Sequence, residues 1–267
     1  IITVGAKPLS IHAYWAVGGT EWFADEQRMR DLVEGWKRAC NQIGVAWGGG
    51  ETPSLSGIVE TGAIDLAASC VGIIRPKERL TVGNKLAVGD AIILLESSGI
   101  HANGVSLARK LAEQLPEGYG SLLADGRLYG EALLDPTLLY ASVTEAVFDA
   151  GIPVHYLANI TGHGWRKLMR NPSSFVYRLT ALPPVPPVLQ FIVEKAGLEL
   201  SEAYGTLNMG AGFALFVPEA HAALTIAIAN RYGLKAYYAG RVDEGEKQVV
   251  IEPLNIVYEG ESLNLRG

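Results

Sequence analysis

Four glycine-rich segments interrupt the sequence, and each adjoins an apolar stretch with the length and composition of a buried strand. They read GGGET (48–52), SSGIHANG (97–104), TGHG (161–164) and NMGAG (208–212). Glycine loses more backbone freedom on folding than other residues, so it is concentrated at turns rather than within helices or strands. Short apolar strands that meet glycine turns and alternate with helices are typical of an α/β protein. We therefore predict an α/β fold, mixed α+β in detail, with mixed sheets.

The spacing of apolar residues places the other elements. Helices are predicted at 25–44, 103–115, 137–151, 188–197 and 219–233. Strands are predicted at 1–6, 9–17, 45–47, 63–74, 91–99, 208–217, 235–242 and 247–252. A charged segment with two glycines, 75–90, separates two predicted domains, 1–78 and 79–267.

The composition excludes several classes of function. The net charge is −6, whereas nucleic-acid and membrane-surface binding require a basic face, so neither partner is predicted. The apolar run 222–229 is too short to cross a bilayer, and no signal peptide is visible. Cys40 and Cys70 lie in apolar settings and are predicted to be reduced core residues of a cytoplasmic protein.

The glycine turns expose backbone N–H groups, and two of them lead into predicted helices. Helix N-termini and clusters of N–H groups attract anions, which is the usual basis of a phosphate-binding loop. Neither GxxxxGK[ST] nor GxGxxG occurs, so the common nucleotide-binding folds are not indicated. A turn that uses glycine for backbone reasons alone is the alternative interpretation of each segment taken singly.

Three side chains in or near these turns can carry chemistry. A carboxylate beside an anion-attracting turn repels phosphate unless a cation lies between them, so Glu51 suits a Mg²⁺ ligand, although it can equally cap its own loop. His101 stands between a glycine turn and a helix start, where it can bind phosphate, relay a proton or cap the turn. His163, within TGHG, has the same alternatives.

Seven segments, taken in order, resemble aminoimidazole ribonucleotide synthetase, the purine-pathway cyclo-ligase that closes the imidazole ring of formylglycinamidine ribonucleotide using ATP. They are GAKPL, GGGET, DLAASCVGII, SSGIHANGVSLARK, LLDPTLLY, ITGHGW and YGTLNMGAGFALFV. Each segment alone is weakly specific, but seven in family order indicate the superfamily. That superfamily also contains selenophosphate synthetase, thiamine-monophosphate kinase and the hydrogenase-maturation dehydratase.

The resemblance implies a two-domain fold and a homodimer in which N-terminal domains form a shared β-barrel beside α/β C-terminal domains. It also implies ATP and Mg²⁺ as cofactors and a small phosphorylated or amide substrate, whose amide oxygen is activated by phosphorylation. Residues 1–78 would be the remainder of an N-terminal ATP-binding and dimerisation domain. The positions predicted on this basis are His101 and Asn103 for catalysis, Glu51 and Asp65 for metal binding, and Gly49, Gly50, Thr52, Ser98, Gly99, Gly104, Thr161, Gly162, Gly164, Asn208 and Gly210 for nucleotide binding.

The sequence departs from the family pattern in three places. It begins IITVGAKP, without Met and after the point where the family carries a DGVGTK-like motif and an Asn-Asp pair. We therefore expect a fragment or processed form that holds Mg-ATP poorly on its own. The family's GGETAEMPG reads GGGETPSLSG, and TGGG reads TGHG. These changes favour a related paralogue of the cyclo-ligase. A non-catalytic paralogue and a kinase of the thiamine-monophosphate type are the alternatives.

Overall fold

The computed structural model describes residues 1–263, which fall into two units, Ile1–Leu80 and a second that begins at Thr81. The first unit contains strands β1 (Lys7–Val17), β2 (Ala46–Glu51) and β3 (Ile64–Ile73) and helix α1 (Glu26–Gln42). The strand order is β2-β1-β3, with β2 parallel and β3 antiparallel to β1. The predicted helix at 25–44 and the predicted strands at 9–17 and 63–74 are confirmed.

Helix α1 is joined to this sheet by a cluster of tryptophans. Asp25 caps the helix by accepting a hydrogen bond from the Arg28 amide at 3.0 Å. Trp36 of the helix contacts Trp15 of β1 and Trp47 of β2, with ring centroids 5.6 and 6.2 Å apart. Large aromatic rings bury much apolar area, so three of them can hold one helix against a small sheet.

The glycines at 48–50 lie inside β2, so the prediction of a glycine turn there is wrong. A Cβ atom on Gly50 would lie closer than 3.0 Å to the backbone of Ala13 on β1. The register between β1 and β2 shifts at this point, between Ile11 and Ala13. The two backbones therefore approach too closely for a side chain, and glycine is the residue that permits it. The predicted strand at 1–6 is also wrong, because Ile2–Val4 form a 3₁₀ turn.

Strand β3 is apolar yet largely exposed. The relative solvent accessibilities of Leu66, Val71 and Ile73 are 48%, 58% and 42%. The strand also lies at the edge of its sheet, so within residues 1–263 its outer backbone groups pair with no further strand. An exposed apolar edge is a surface to which another strand can add. Cys40 is buried and Cys70 is half-buried, and both are free thiols.

The second unit is built on a seven-stranded mixed sheet in its described part. Its strands are β4 (Asp90–Glu96), β5 (Tyr156–Asn159), β6 (Val176–Leu179), β7 (Ala211–Pro218), β8 (Ala236–Asp243), β9 (Gln248–Ile251) and β10 (Ile256–Glu259), in the order β10-β9-β6-β8-β4-β7-β5. The β6–β9 pair is parallel and the other pairs are antiparallel. Its helices are α2 (Val105–Gln114), α3 (Tyr129–Ala132), α4 (Ala141–Asp149), α5 (Pro187–Ala196), α6 (Leu200–Thr206) and α7 (Ala222–Arg231).

The core of this unit is centred on β4 and β7. Side chains Ile92–Leu95 and Ala214–Val217 are fully buried. Strands buried on both faces read as continuous apolar runs, which explains why both were predicted from sequence. The α/β fold class is confirmed. The predicted start of the third helix at 137 is wrong, because α4 begins at Ala141 and residues 135–140 form no regular structure. The short elements α3, β5, β6, α6 and β10 are not among the predictions.

Candidate functional site

Three of the four glycine-rich segments meet at one end of the seven-stranded sheet. Strand β4 ends at Glu96, paired with Ala211 where β7 begins, and β5 ends at Asn159, paired with Phe213 of β7. Because β7 is antiparallel to both neighbours, the loops after β4 and β5 and the loop before β7 emerge at the same end of the sheet. The segments brought together in this way are 97–104, 161–164 and 208–212.

Asn208 is the residue that joins these loops. Its side chain is buried, and its Oδ1 accepts hydrogen bonds from the Ser97 hydroxyl at 2.6 Å and the Gly210 amide at 3.1 Å. Its Nδ2 donates to the carbonyl of Gly99 at 2.8 Å, and its own backbone carbonyl accepts from the Trp165 indole at 2.8 Å. The amide is thus occupied by protein partners. Its position supports a role in holding the loops; contact with a nucleotide stays a prediction.

His101 accepts a hydrogen bond within the first loop, and this bond defines the protonation state of its ring. The Ser98 hydroxyl donates to the Pro136 carbonyl at 2.7 Å, so the group that donates to His101 Nε2 is the Ser98 amide, at 3.0 Å. Nε2 must therefore be unprotonated, and the ring proton is on Nδ1. Burial lowers the pKa of His101 to about 4, in agreement with a neutral ring. His101 also has a positive φ of 56°, so the loop turns sharply at this residue.

We expect His101 to make the protein less stable in mild acid. The unfolded chain takes up a proton on this ring below about pH 6.5, whereas the folded ring resists it down to about 4. The stability associated with the neutral ring is complete above pH 6.5 and is lost as the pH falls towards 4, on the order of 2 kcal/mol after allowance for partial exposure. Urea unfolding at pH 7.5, 6 and 5 measures this. His101→Asn should have a shallower pH dependence than the wild type and His221→Asn should not; parallel curves for all three would contradict it.

Asn103 and the Thr161–Gly164 segment lie against each other. The Asn103 amide donates to the Thr206 carbonyl at 2.6 Å, and a Cβ on Gly162 would lie 3.1 Å from Asn103 Oδ1. The hydroxyl of Thr161 accepts a hydrogen bond from the ammonium of Lys167. The predicted residues of the second unit are therefore gathered at one place, although no contact shows which of them acts in catalysis.

Helix α2 starts beside the same loop without a side-chain cap. Its N-cap is Gly104, with φ 92° and no side chain to accept a hydrogen bond from the first turn. The first amides of a helix have no partner within it, and the helix dipole makes this end attractive to anions. The geometry of the first turn fits the prediction of an anion-attracting loop at Ser98–Gly104.

Cationic side chains that the motif analysis did not select follow the TGHG segment. Arg166 is held by backbone carbonyls, including that of Gly205 at 2.6 and 3.0 Å. Lys167 is half-buried, and desolvation together with the charge of Arg170 lowers its pKa. Burial and the charges of Arg166, Lys167 and Arg170 lower the pKa of His163. The run WRKLMR directly after the glycines is the signal in the sequence that could have identified this group.

The predicted residues of the first unit are less concentrated. Gly49, Gly50 and Glu51 end β2, Thr52 follows, and Asp65 lies on β3. Both Glu51 and Asp65 are exposed, and β1 runs between their strands. Glu51 is paired with Tyr14 and Asp65 with Ala16, which places their Cα atoms about 12 Å apart by the normal strand spacings. Within residues 1–263 no three His, Cys, Asp or Glu side chains gather as a metal site.

An apolar cleft of about 630 Å³ opens beside helix α2. Its wall includes Val105 and Arg109 of the helix, with Tyr119, Glu131 and Leu134 from residues 118–136. This volume lies within the usual range for small-molecule sites. Residue spacing did not indicate this cleft, because much of its wall comes from residues 118–136, whose apolar residues follow neither a helical nor a strand period.

Sequence comparison places both units in one family. Residues 1–74 match the N-terminal domain, and residues 87–252 the C-terminal domain, of AIR synthase related protein. The chain belongs to the AIR synthase related family. The cyclo-ligase resemblance is thereby confirmed. The chain is 35% identical over 257 residues to the phosphoribosylformylglycinamidine cyclo-ligase of Rippkaea orientalis, and the match covers 94% of this chain and 74% of that protein. The enzyme of the same name from Methanocaldococcus jannaschii is 37% identical over 243 residues, covering 90% and 67%.

Solved structures share the fold at lower identity. HypE from E. coli, a hydrogenase maturation protein, superposes with a TM-score of 0.67 at 17% identity, covering 100% of this chain and 77% of that one. PurL from T. maritima complexed with ATP gives 0.61 at 15% identity, covering 98% and 38%. At these identities the likeness shows an AIR synthase-like fold. In the described part of the chain, no helix is long and apolar enough to span a membrane.

Proposed function

We propose that this protein is an ATP-dependent cyclo-ligase or a close paralogue that activates an amide oxygen by phosphorylation. The observation that carries the proposal is the junction of three glycine loops around Asn208, beside cationic residues, in a member of the AIR synthase related family. Relatives 30–37% identical over most of the chain are named phosphoribosylformylglycinamidine cyclo-ligase. We infer the same reaction class for this chain.

The chain's own residues would act mainly by position and charge. ATP, when bound, supplies the phosphoryl group that turns an amide oxygen into a leaving group. The Asn208-linked loops hold the acceptor so that its nitrogen attacks within the same molecule at high effective concentration. Lys167 and Arg170 place positive charge beside these loops, where it attracts a phosphate-bearing substrate. His101, with Nε2 bound to the Ser98 amide, can hold a proton at Nδ1.

The described residues do not provide a complete ligand set for magnesium. Magnesium requires near-octahedral oxygen ligands and usually takes one or two carboxylates together with phosphate oxygens. Glu51 and Asp65 lie on strands separated by β1, and residues 1–263 contain no group of three ligands. Each could contribute a single ligand, so magnesium binding stays a prediction and no step of the reaction is assigned to it.

ADP release tests the proposed reaction. We expect ADP to form when the protein is given ATP, magnesium and phosphoribosylformylglycinamidine, and not when the acceptor is omitted. Thiamine monophosphate serves as the second acceptor, since a related structure is a thiamine-monophosphate kinase of the same fold. ADP with thiamine monophosphate alone would indicate a kinase, and no ADP with either acceptor would indicate a non-catalytic paralogue. Both results contradict the proposal.

We further propose that the protein is a homodimer that pairs through β3. The exposed apolar side chains Leu66, Val71 and Ile73 lie on an edge strand to which a second copy can add its own β3; Val71 and Ile73 share one face of the strand and Leu66 lies on the other. A shared sheet of this kind pairs the free backbone groups of the edge and covers apolar surface around Val71 and Ile73.

Val71→Lys is expected to convert this dimer into a monomer. A lysine at a position that becomes buried leaves an unpaired charge in the interface, so the dimer should weaken at least about 100-fold. Sedimentation equilibrium measures the change. Val257→Lys is the matched control, because Val257 is 51% exposed on β10, an edge strand of the other sheet. A wild type that is monomeric, or a Val71→Lys variant that dimerises normally, would argue against pairing through β3.

A further inference from the structure

Three cationic or titratable side chains of the TGHG loop and the turn that follows it, His163, Lys167 and Arg170, form no ion pair with a carboxylate in the described part of the chain. Desolvation and the positive charge of Arg170 lower the pKa of Lys167, and the pKa of His163 is lowered by burial and by Arg166, Lys167 and Arg170. Lys167 and Arg170 are three residues apart on the 3₁₀ turn Gly164–Met169 and its C-terminal cap, where side chains at this spacing lie on the same face, and His163 is the N-terminal cap of the turn. No carboxylate of residues 1–263 forms an ion pair with Lys167 or Arg170. Like charges held together in this way repel one another unless an anion is bound between them.

Arg166 has a different function from its two basic neighbours. Its guanidinium donates to the carbonyls of Gly205 at 2.6 and 3.0 Å, His163 at 3.3 Å and Ser262 at 2.9 Å. These contacts use most of its five donors, so Arg166 fixes the loop against α6. Lys167 makes one side-chain hydrogen bond, to the Thr161 hydroxyl, and so has ammonium donors to spare for a ligand.

We propose that His163, Lys167 and Arg170 bind the phosphate group of a phosphoribosyl substrate. A phosphate monoester carries close to two negative charges and accepts hydrogen bonds in several directions, which matches an ammonium, a guanidinium and an imidazole from one loop and its continuation. Lys167 also connects this group to Thr161, on the loop that lies against Asn103. The phosphate would thus be anchored beside the predicted catalytic residues.

A monoester suits this group better than the triphosphate of ATP does. The triphosphate is bound in proteins with magnesium, whose sites bring carboxylates with them. The group behind TGHG contains cations and no paired carboxylate in the described chain, so it neutralises a metal-free phosphate directly. The inference rests on the proposed function for the identity of the compound that carries the phosphate, and on the geometry for the phosphate itself.

Ribose 5-phosphate tests this site without turnover. We expect it to bind the wild-type protein in calorimetry and ribose not to bind. Lys167→Met and Arg170→Gln should each weaken the binding at least about tenfold, since a hydrogen bond to a charged group is lost. Lys167→Arg should retain affinity within about threefold because it keeps the charge. Arg231→Gln, at the exposed end of α7, removes a cation elsewhere and should change nothing.

Kinetics with the phosphoribosyl acceptor separate this inference from the proposed function. In an active protein, Lys167→Met should raise the KM for the acceptor and leave the KM for ATP and kcat within about threefold. If the wild type releases no ADP and Lys167→Met loses the ribose 5-phosphate binding that the wild type has, the site is supported and the proposed reaction is contradicted. If Lys167→Met binds ATP more weakly but ribose 5-phosphate normally, the proposed site is wrong. It is also wrong if the wild-type protein binds no ribose 5-phosphate. Circular dichroism identifies a variant that fails to fold, and the Lys167→Arg result then decides.

Discussion

Asn208→Ala is expected to lower the free energy of unfolding by about 3 kcal/mol and to reduce kcat about 100-fold. The side chain is 3% exposed and has bonds to the Ser97 hydroxyl, the Gly210 amide and the Gly99 carbonyl, so truncation leaves several buried polar groups without a partner. The loops lose the hydrogen bonds that join them, and a displacement of about 1 Å at a catalytic site is enough for a large loss of rate. Urea unfolding and ADP release measure the two effects.

Two further variants make this prediction specific. Asn208→Asp keeps the acceptor for Ser97 and Gly210 but places a carboxylate against the Gly99 carbonyl, so it should be destabilised as much as the alanine variant. Asn230→Ala removes an exposed asparagine with one long bond, 3.4 Å to the Ala236 amide, and should cost less than about 0.5 kcal/mol. Equal stability of Asn208→Ala and Asn230→Ala would show that Asn208 does not join the loops.

The regular elements could be predicted from the sequence wherever burial imposes a period. Helix α1 shows apolar residues at helical spacing and an Asp25 cap, and β4 is an uninterrupted apolar run because both of its faces are buried. Strands β5 and β6 have four residues each, too few to show an alternation. The apolar run of β3 predicted a strand, but periodicity could not show that its side chains are exposed.

The candidate site was predictable only in part, for two physical reasons. Glycine turns mark loops, but which loops meet depends on strand order, and that order is set by contacts distant in sequence. Thus 97–104, 161–164 and 208–212 are brought together, whereas the glycines at 48–50 accommodate a close approach of β1 and β2. Lys167 and Arg170 resemble solvent-facing charges in the sequence, and the absence of an acidic partner in the described chain becomes visible only in the fold.

Gly164→Ala is expected to destabilise the second unit by about 3 kcal/mol and to displace the TGHG loop. Gly164 has φ 53°, and a Cβ there would lie closer than 3.0 Å to the backbone of Tyr204 and Gly205, so the variant combines backbone strain with overlap that no side-chain rotation relieves. Gly233→Ala is the matched control: its φ is 79° and nothing lies within 4 Å of an added Cβ, so it carries only the backbone cost of about 1 kcal/mol. The difference between the two variants in urea unfolding isolates the steric contribution. Arg166 donates to the carbonyl of Gly205, so a shift at Gly205 should also move Arg166 and the adjacent Lys167. We therefore expect weaker ribose 5-phosphate binding in Gly164→Ala and not in Gly233→Ala. Equal unfolding energies for the two variants would mean that the loop can move away from α6, and that α6 does not fix its position.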